Sequence, residues 1–195
     1  MKIVFATKNE GKVREIREML EGLEIDLVSL KDYSQVPEII EDKETYLDNA
    51  YKKAKMISGF TGETVLADDS GLQVDILDGE PGIFSARYAG EGATDEENNV
   101  KLLSKLEGIP TDKRTASFCC ALVLYRKDGT SDAFEARWHG LIIDERRGNN
   151  GFGYDPIFWV PDLNKTAAEL PSEIKNKVSH RGQAFAKLRG FLSRL

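Results

Sequence analysis

No stretch of this sequence approaches the apolar length that a bilayer crossing needs, which excludes a helical membrane protein. Its opening residues, MKIVFATKNEGK, hold too short an apolar run for a secretory core, so the expected location is cytoplasmic with no membrane partner. A Lys/Arg-rich run is also lacking. The 27 basic and 33 acidic residues alternate to a net charge of −6, leaving no track for a phosphate backbone and making polymeric nucleic acid an unexpected partner. A small anion is not excluded, because a few lysines and backbone N–H groups bind phosphate whatever the net charge. Cysteine is scarce. Cys119 and Cys120 are adjacent in a strand-like run, where their side chains point to opposite faces and are poorly placed to pair, so they read as reduced packing residues. Six dispersed prolines make no linker and no fixed-period repeat occurs, so residues 1–195 are expected to form a single domain. The GxxxxGK[ST] pattern is missing too, which disfavours a P-loop kinase or GTPase.

What remains is a globular composition, 41% apolar and 31% charged. Ile3 to Ala6 predicts a short strand. Polar Thr7 to Glu10 and Gly11 lead from it into a helix whose apolar face is Val13, Ile16, Leu20 and Leu23. Leu47, Ala50, Ala54 and Ile57 predict a second amphipathic helix with Thr45 as N-cap. Val65 to Ala67 reads as a buried strand that stops at Asp68, Asp69, Ser70 and Gly71, residues poor in strand propensity. Phe118 to Tyr125 and Ala133 to Ile143 predict an antiparallel pair, because Asp128-Gly129 between them tolerates positive φ. A last helix is expected from near Ser179, burying Ala184, Leu188, Phe191 and Leu195. The mixture gives an α/β class with a mixed sheet.

Several segments could carry chemistry. The loop of Thr7, Lys8, Asn9, Glu10, Gly11 and Lys12 presents hydroxyl, amide, ammonium and backbone donors beside a helix N-terminus, a setting for anions. Asp68 and Asp69 offer two carboxylates whose side chains diverge, so that one faces a given cleft and the other supports the expected turn. Glu41, Asp42 and Glu44 could add a second oxygen ligand suited to Mg²⁺, which keeps several waters and bridges to substrate phosphates. In Gly148 to Pro156, glycines let a flat ring approach the backbone while Phe152 and Tyr154 either stack on it or join the core. Ser179, His180 and Arg181 open the last helix, where the dipole opposes protonation of the histidine; a lone histidine there is more often a surface residue.

Taken together and in order, TKNEGK, ADDSGL, PGIFSARYAG, GFGYDPIF and SHRGQA resemble the inosine triphosphate pyrophosphatase family, the non-standard purine NTP pyrophosphatases acting on dITP and XTP. The blocks run from Ile3 to Leu188, and five in one order are far more specific than any one alone. The resemblance implies an elongated mixed β-sheet flanked by helices, two lobes with the nucleotide cleft between them, a homodimer, and cleavage between the α and β phosphates of ITP, dITP or XTP. By motif, it implies that Thr7, Asn9, Lys12 and Lys53 hold the triphosphate, with Lys8, Glu10 and Gly11 in the same loop. Asp69 is implied as the base and Ser70 as a substrate contact. Phe152, Gly153, Tyr154 and Asp155 are implied to line the base and sugar pocket, completed by Lys175, His180 and Arg181. The Mg²⁺ ligands implied are Asp69 and, as the best match upstream of the second helix, Glu41.

Overall fold

The N-terminal strand β1 (Lys2–Phe5) is apolar along its whole inner length, and Ile3, Val4 and Phe5 are all fully buried. A strand with no polar side is one covered on both faces, and the order of elements shows how the cover arises. After β1 come helix α1 (Glu10–Met19), strand β2 (Asp26–Ser29), helix α2 (Tyr46–Thr61) and strand β3 (Val65–Val74). Helix α3 (Asp95–Lys105) follows, then strands β4 (Thr115–Tyr125), β5 (Ser131–Ile142), β6 (Phe158–Val160) and β7 (Lys165–Thr166), and helices α4 (Ser172–Val178) and α5 (His180–Leu192). This computed structural model describes residues 1–194, with all their side chains except those of Glu10 and Glu15.

The seven strands form one sheet in the order β2-β1-β3-β4-β5-β6-β7. Parallel pairing joins β1 to β2 and to β3, whereas β5–β6 and β6–β7 are antiparallel, so the sheet is mixed and the class α/β, as expected. The chain gathers into two compact units. One holds Met1–Asp69, Cys120–Ala136 and the chain from Arg181 onward; the other holds Ser70–Cys119 and Arg137–His180.

In the first unit the strand alternation sorts side chains onto two helical covers. Ile3, Phe5 and Leu66 pack with Val13, Ile16 and Leu20 of α1 and with Ala184, Phe185 and Leu188 of α5. Val4, Ala6, Val65 and Ala67 pack with Ala50, Ala54 and Ile57 of α2. The second unit centres on Leu72, Val74, Phe118, Trp138 and Phe158, with Leu102 of α3 and Leu106 beside it.

Two expectations are corrected. Strand β3 does not stop at the acids but continues through Asp68, Asp69, Ser70 and Gly71 to Val74. Buried Leu72 and Val74 anchor its far half, and that packing outweighs the weak strand propensity of the acidic stretch. Asp68 therefore supports no turn. Ser179 closes α4, its N–H donating to the Lys175 carbonyl at 2.9 Å, and the last helix begins beside it as expected, with α5 starting at His180. Leu195, expected in the buried face of that helix, lies outside the described residues. The β4–β5 connection is as expected: Arg126 N–H donates to the Thr130 carbonyl at 2.9 Å and Gly129 has φ +86°.

Candidate active site

Because successive strand residues face opposite sides, Asp68 lies on the side of Leu66 and Asp69 on the side of Ala67. The two carboxylates thus meet different helices. Asp68, fully buried, takes Lys12 Nζ of α1 on its Oδ2 at 2.6 Å. Burial pushes its carboxyl up, but the charges of Lys12, Lys53 and Arg181 outweigh it and hold the group down at about 2. Asp68 is a permanent anion, and it neutralises cations that the fold has already drawn in.

Asp69 is displaced the other way. Burial raises its carboxyl, the Glu41 charge adds to the rise, and Lys53 with a hydrogen bond to Asn49 only partly oppose them, leaving it at about 6. Glu41 reaches it because α2 holds the segment before it. Lys53 pairs with Glu41, Asn49 Oδ1 accepts from Lys43 N–H at 2.9 Å, and Thr45 caps α2 by accepting from Asp48 N–H at 3.0 Å. Lys53 Nζ also donates to the Asp68 carbonyl at 2.9 Å. Burial opposes its charge, yet Asp68, Glu41 and Asp69 together raise its pKa. Of the neighbouring acids, Asp42 turns to Lys52 at 2.7 Å instead. Of the acids in the 41–44 segment, Glu41 is the one whose charge raises Asp69. Among the described residues no three His, Cys, Asp or Glu side chains are grouped so as to hold a metal ion by themselves. Two hard carboxylates match the donor set of Mg²⁺, which takes its remaining ligands from water and phosphate.

The Thr7–Lys12 loop is built around Asn9, the N-cap of α1, whose Oδ1 accepts from Lys12 N–H at 3.1 Å. Thr7 Oγ1 accepts from Asn9 N–H at 3.2 Å, while Lys8 is exposed. A Cβ at Gly11 would meet Asn9 Oδ1 at 3.1 Å, which ties the glycine to the cap. The side chain of Glu10 lies outside the described residues. Arg181 is buried at the start of α5, where its charge reaches Asp68.

In the second unit, Asp155 Oδ2 takes Lys175 Nζ at 2.5 Å and Phe152 N–H at 2.9 Å. This buried pair organises the 148–156 loop. Gly151 and Gly153 have positive φ, and a Cβ at Gly151 would run into the Asp155 carboxylate at 2.0 Å. Of the two ring residues in the loop, Tyr154 belongs to the core and donates its hydroxyl proton to the Ser85 carbonyl at 2.8 Å. Phe152 is 40% exposed, with Lys175 Nζ 5.2 Å from its ring centre. His180 is buried rather than at the surface, stacked on Phe118 at 4.9 Å. In the sequence, only its place before the Ala184 face signalled that burial. Ser70 is half-buried on β3.

Sequence reasoning missed Asn49 and the grip of α3 on the glycine loop. Asn49 was hidden because it falls on the buried side of α2 among apolar residues, and only the position of Asp69 makes it chemical.

Comparison with known proteins matches residues 3–191 to the model of the Ham1 family. The dITP/XTP pyrophosphatase of Geobacter sulfurreducens is 52% identical over 191 residues, covering 98% of this chain and 96% of that one. The dITP/XTP pyrophosphatase of Desulforamulus reducens is 49% identical, over 100% of this chain and 97% of its own. A solved HAM1 protein from Coxiella burnetii superposes with a TM-score of 0.93 at 43% identity, each chain covered completely. A nucleoside-triphosphatase / dITP/XTP pyrophosphatase structure from Mycobacterium abscessus gives 0.80, also at 43% identity, over 96% of this chain and 97% of that one. With one family spanning nearly every residue that builds the two carboxylate sides and the glycine loop, the chain belongs to the Ham1 family.

Proposed function

We propose that this protein hydrolyses non-standard purine nucleoside triphosphates, ITP, dITP and XTP, to the monophosphate and pyrophosphate. The observation that carries the proposal is the split between neighbouring carboxylates: Asp68 held down at about 2 by cations, Asp69 pushed up to about 6 by burial and Glu41. Of the two carboxylates, Asp69 is therefore the one able to take up a proton, while Asp68 stays an anion. Asp69 takes a proton from a water that attacks the α-phosphorus, and the bond to the β-phosphate oxygen breaks to release pyrophosphate. Lys12 and Lys53, with the N–H groups at the start of α1, bear the negative charge that accumulates on the leaving group. Glu41 and Asp69 supply the protein oxygens for Mg²⁺, whose contribution is charge neutralisation on the phosphates. Lys53, paired with Glu41, keeps that carboxylate near Asp69 when the cation is away.

In this reading the base is met by residues of the second unit together with Arg181 of the first. Phe152 gives an exposed ring for stacking, and the Lys175–Asp155 pair fixes the backbone around it. His180 and Arg181 act toward the 6-oxo group of hypoxanthine or xanthine. Adenine presents a 6-amino donor there and leaves buried donors unpaired, which is how a polar pocket rejects it. The resemblance also implies a homodimer and a cytoplasmic site of action.

Pyrophosphate release from ITP, XTP, dITP, GTP, ATP, dUTP and CTP tests the proposal. Turnover concentrated in the first three supports it. Preference for dUTP or CTP would make the protein a pyrimidine pyrophosphatase, and binding without release would make it a sequestering regulator.

A further inference from the structure

Gly153 has no side chain, so anything that sets the glycine loop at this point must hold its backbone. Two residues of α3, one helical turn apart, do so from both ends. Asp95 Oδ2 accepts from Gly153 N–H at 2.7 Å, and Asn99 Nδ2 donates to the Gly153 carbonyl at 3.0 Å. The glycine they hold has φ +63° and follows the exposed ring of Phe152 directly.

Neither residue is needed to build the helix. Thr94 and Glu97 already form a reciprocal capping box, leaving the Asp95 carboxylate to reach outward. Asn99 is only 3% exposed, and its Oδ1 is buried without a hydrogen-bond partner among the described residues. A buried acceptor left unsatisfied is costly, and a side chain serving packing alone would be replaced by an apolar one. The preceding residue works in parallel: Asn98 accepts from Ala89 N–H at 2.7 Å and donates to the Ala86 carbonyl at 3.3 Å. Glu96 pairs with Arg146 at the start of the loop.

We infer that Asp95 and Asn99 are positioning residues for nucleobase recognition: they fix the Gly153 peptide and thereby the angle at which Phe152 meets the base. The inference rests on the assignment of the 152–155 loop to the base. The phosphate chemistry sits on Asp69, in the other unit, and does not depend on these contacts.

The test compares the full-length protein with Asn99→Asp, Asp95→Ala, Asp95→Asn and Phe152→Ala, measuring KM and kcat for ITP together with the thermal midpoint. Asn99→Asp keeps the shape but removes the donor, and Asp95→Ala removes the acceptor. Each is expected to raise KM about tenfold, the usual consequence of losing one hydrogen bond to a buried group, while kcat stays within about twofold. Asp95→Asn retains an acceptor oxygen and should restore KM toward that of the parent. Should Asn99→Asp fail to fold, the contrast between the two Asp95 variants carries the test. A KM raised by Phe152→Ala but unmoved in Asn99→Asp and Asp95→Ala overturns the inference, as does a lowered midpoint with unchanged KM. If Phe152→Ala also leaves KM unmoved, the loop does not hold the base, and both the assignment and the inference fall.

Discussion

At the scale of single residues, the account turns on two carboxylates that neighbour each other in sequence and are displaced in opposite directions. Asp69→Asn is expected to lower kcat about a hundredfold or more, as removal of a general base does, measured as pyrophosphate released from ITP. The same change should stabilise the metal-free protein. A carboxyl raised in the folded state favours folding fully below its unfolded value of 3.8 and loses that contribution as pH rises through about 6. At pH 8 the ionised group therefore costs up to about 3 kcal/mol that a neutral amide does not, and the gain should vanish near pH 4 in denaturant melts with chelator. Asp68 behaves in the opposite sense. Its stabilisation, about 2 kcal/mol, is present above 3.8 and lost as pH falls through about 2, so Asp68→Asn should destabilise at neutral pH. Glu41→Gln should weaken Mg²⁺ binding and shift the Mg²⁺ titration of activity to higher concentration, since an amide is a poorer ligand for a hard cation. An unchanged Mg²⁺ titration in that variant, with a shifted one in Glu44→Gln, would move the ligand. Proton and cation compete for Asp69, so apparent Mg²⁺ affinity should fall about tenfold per pH unit below about 6.

At the scale of elements, what could be read in advance was what short-range chemistry determines. Thr45 was legible as a cap because a side-chain oxygen three residues before a backbone N–H needs no tertiary partner. The Gly129 turn was legible for the same reason. The continuation of β3 was not, because it is decided by the burial of Leu72 and Val74 in the second unit, which no local propensity records. Helix α3, the short strands β2, β6 and β7, and α4 gave no signal that could be read. Those strands run four residues or fewer, too short for periodicity to declare. Of the chemical positions, carboxylates and lysines in motifs were visible, whereas Asn49, Asp95 and Asn99 sit on helices and become chemical only through what they touch. A packing test belongs here. Gly148 has φ +82°, and a Cβ on it would lie 2.3 Å from the Ala168 carbonyl group, so Gly148→Ala should cost more than about 2 kcal/mol through combined strain and clash. A melting midpoint within one degree of the parent would contradict that reading of the loop.

At the scale of the whole molecule, each unit has its own core, and the proposed roles divide accordingly. Lys12, Lys53, Glu41 and Asp69, proposed for the phosphate chemistry, belong to one unit; Phe152, Asp155 and Lys175, proposed for the base, belong to the other. Substitutions of Lys12, Lys53, Glu41 or Asp69 should therefore alter kcat for every triphosphate alike, and those of Phe152, His180 or Arg181 should alter the ratio of catalytic efficiencies for ITP over ATP. His180→Ala is a case of the second kind, expected to lower that ratio by about one to three kcal/mol in discrimination if one buried hydrogen bond reads the 6-position. Equal losses for ITP and ATP would make it a general binding residue. The most direct test of the central claim is hydrolysis of ITP in ¹⁸O-labelled water, with equimolar ATP as competitor and the products weighed by mass spectrometry. Attack of an Asp69-activated water on the α-phosphorus predicts inosine monophosphate carrying one ¹⁸O, unlabelled pyrophosphate, and ATP left intact. Label in pyrophosphate, formation of inosine diphosphate and phosphate, or equal consumption of ATP would contradict it.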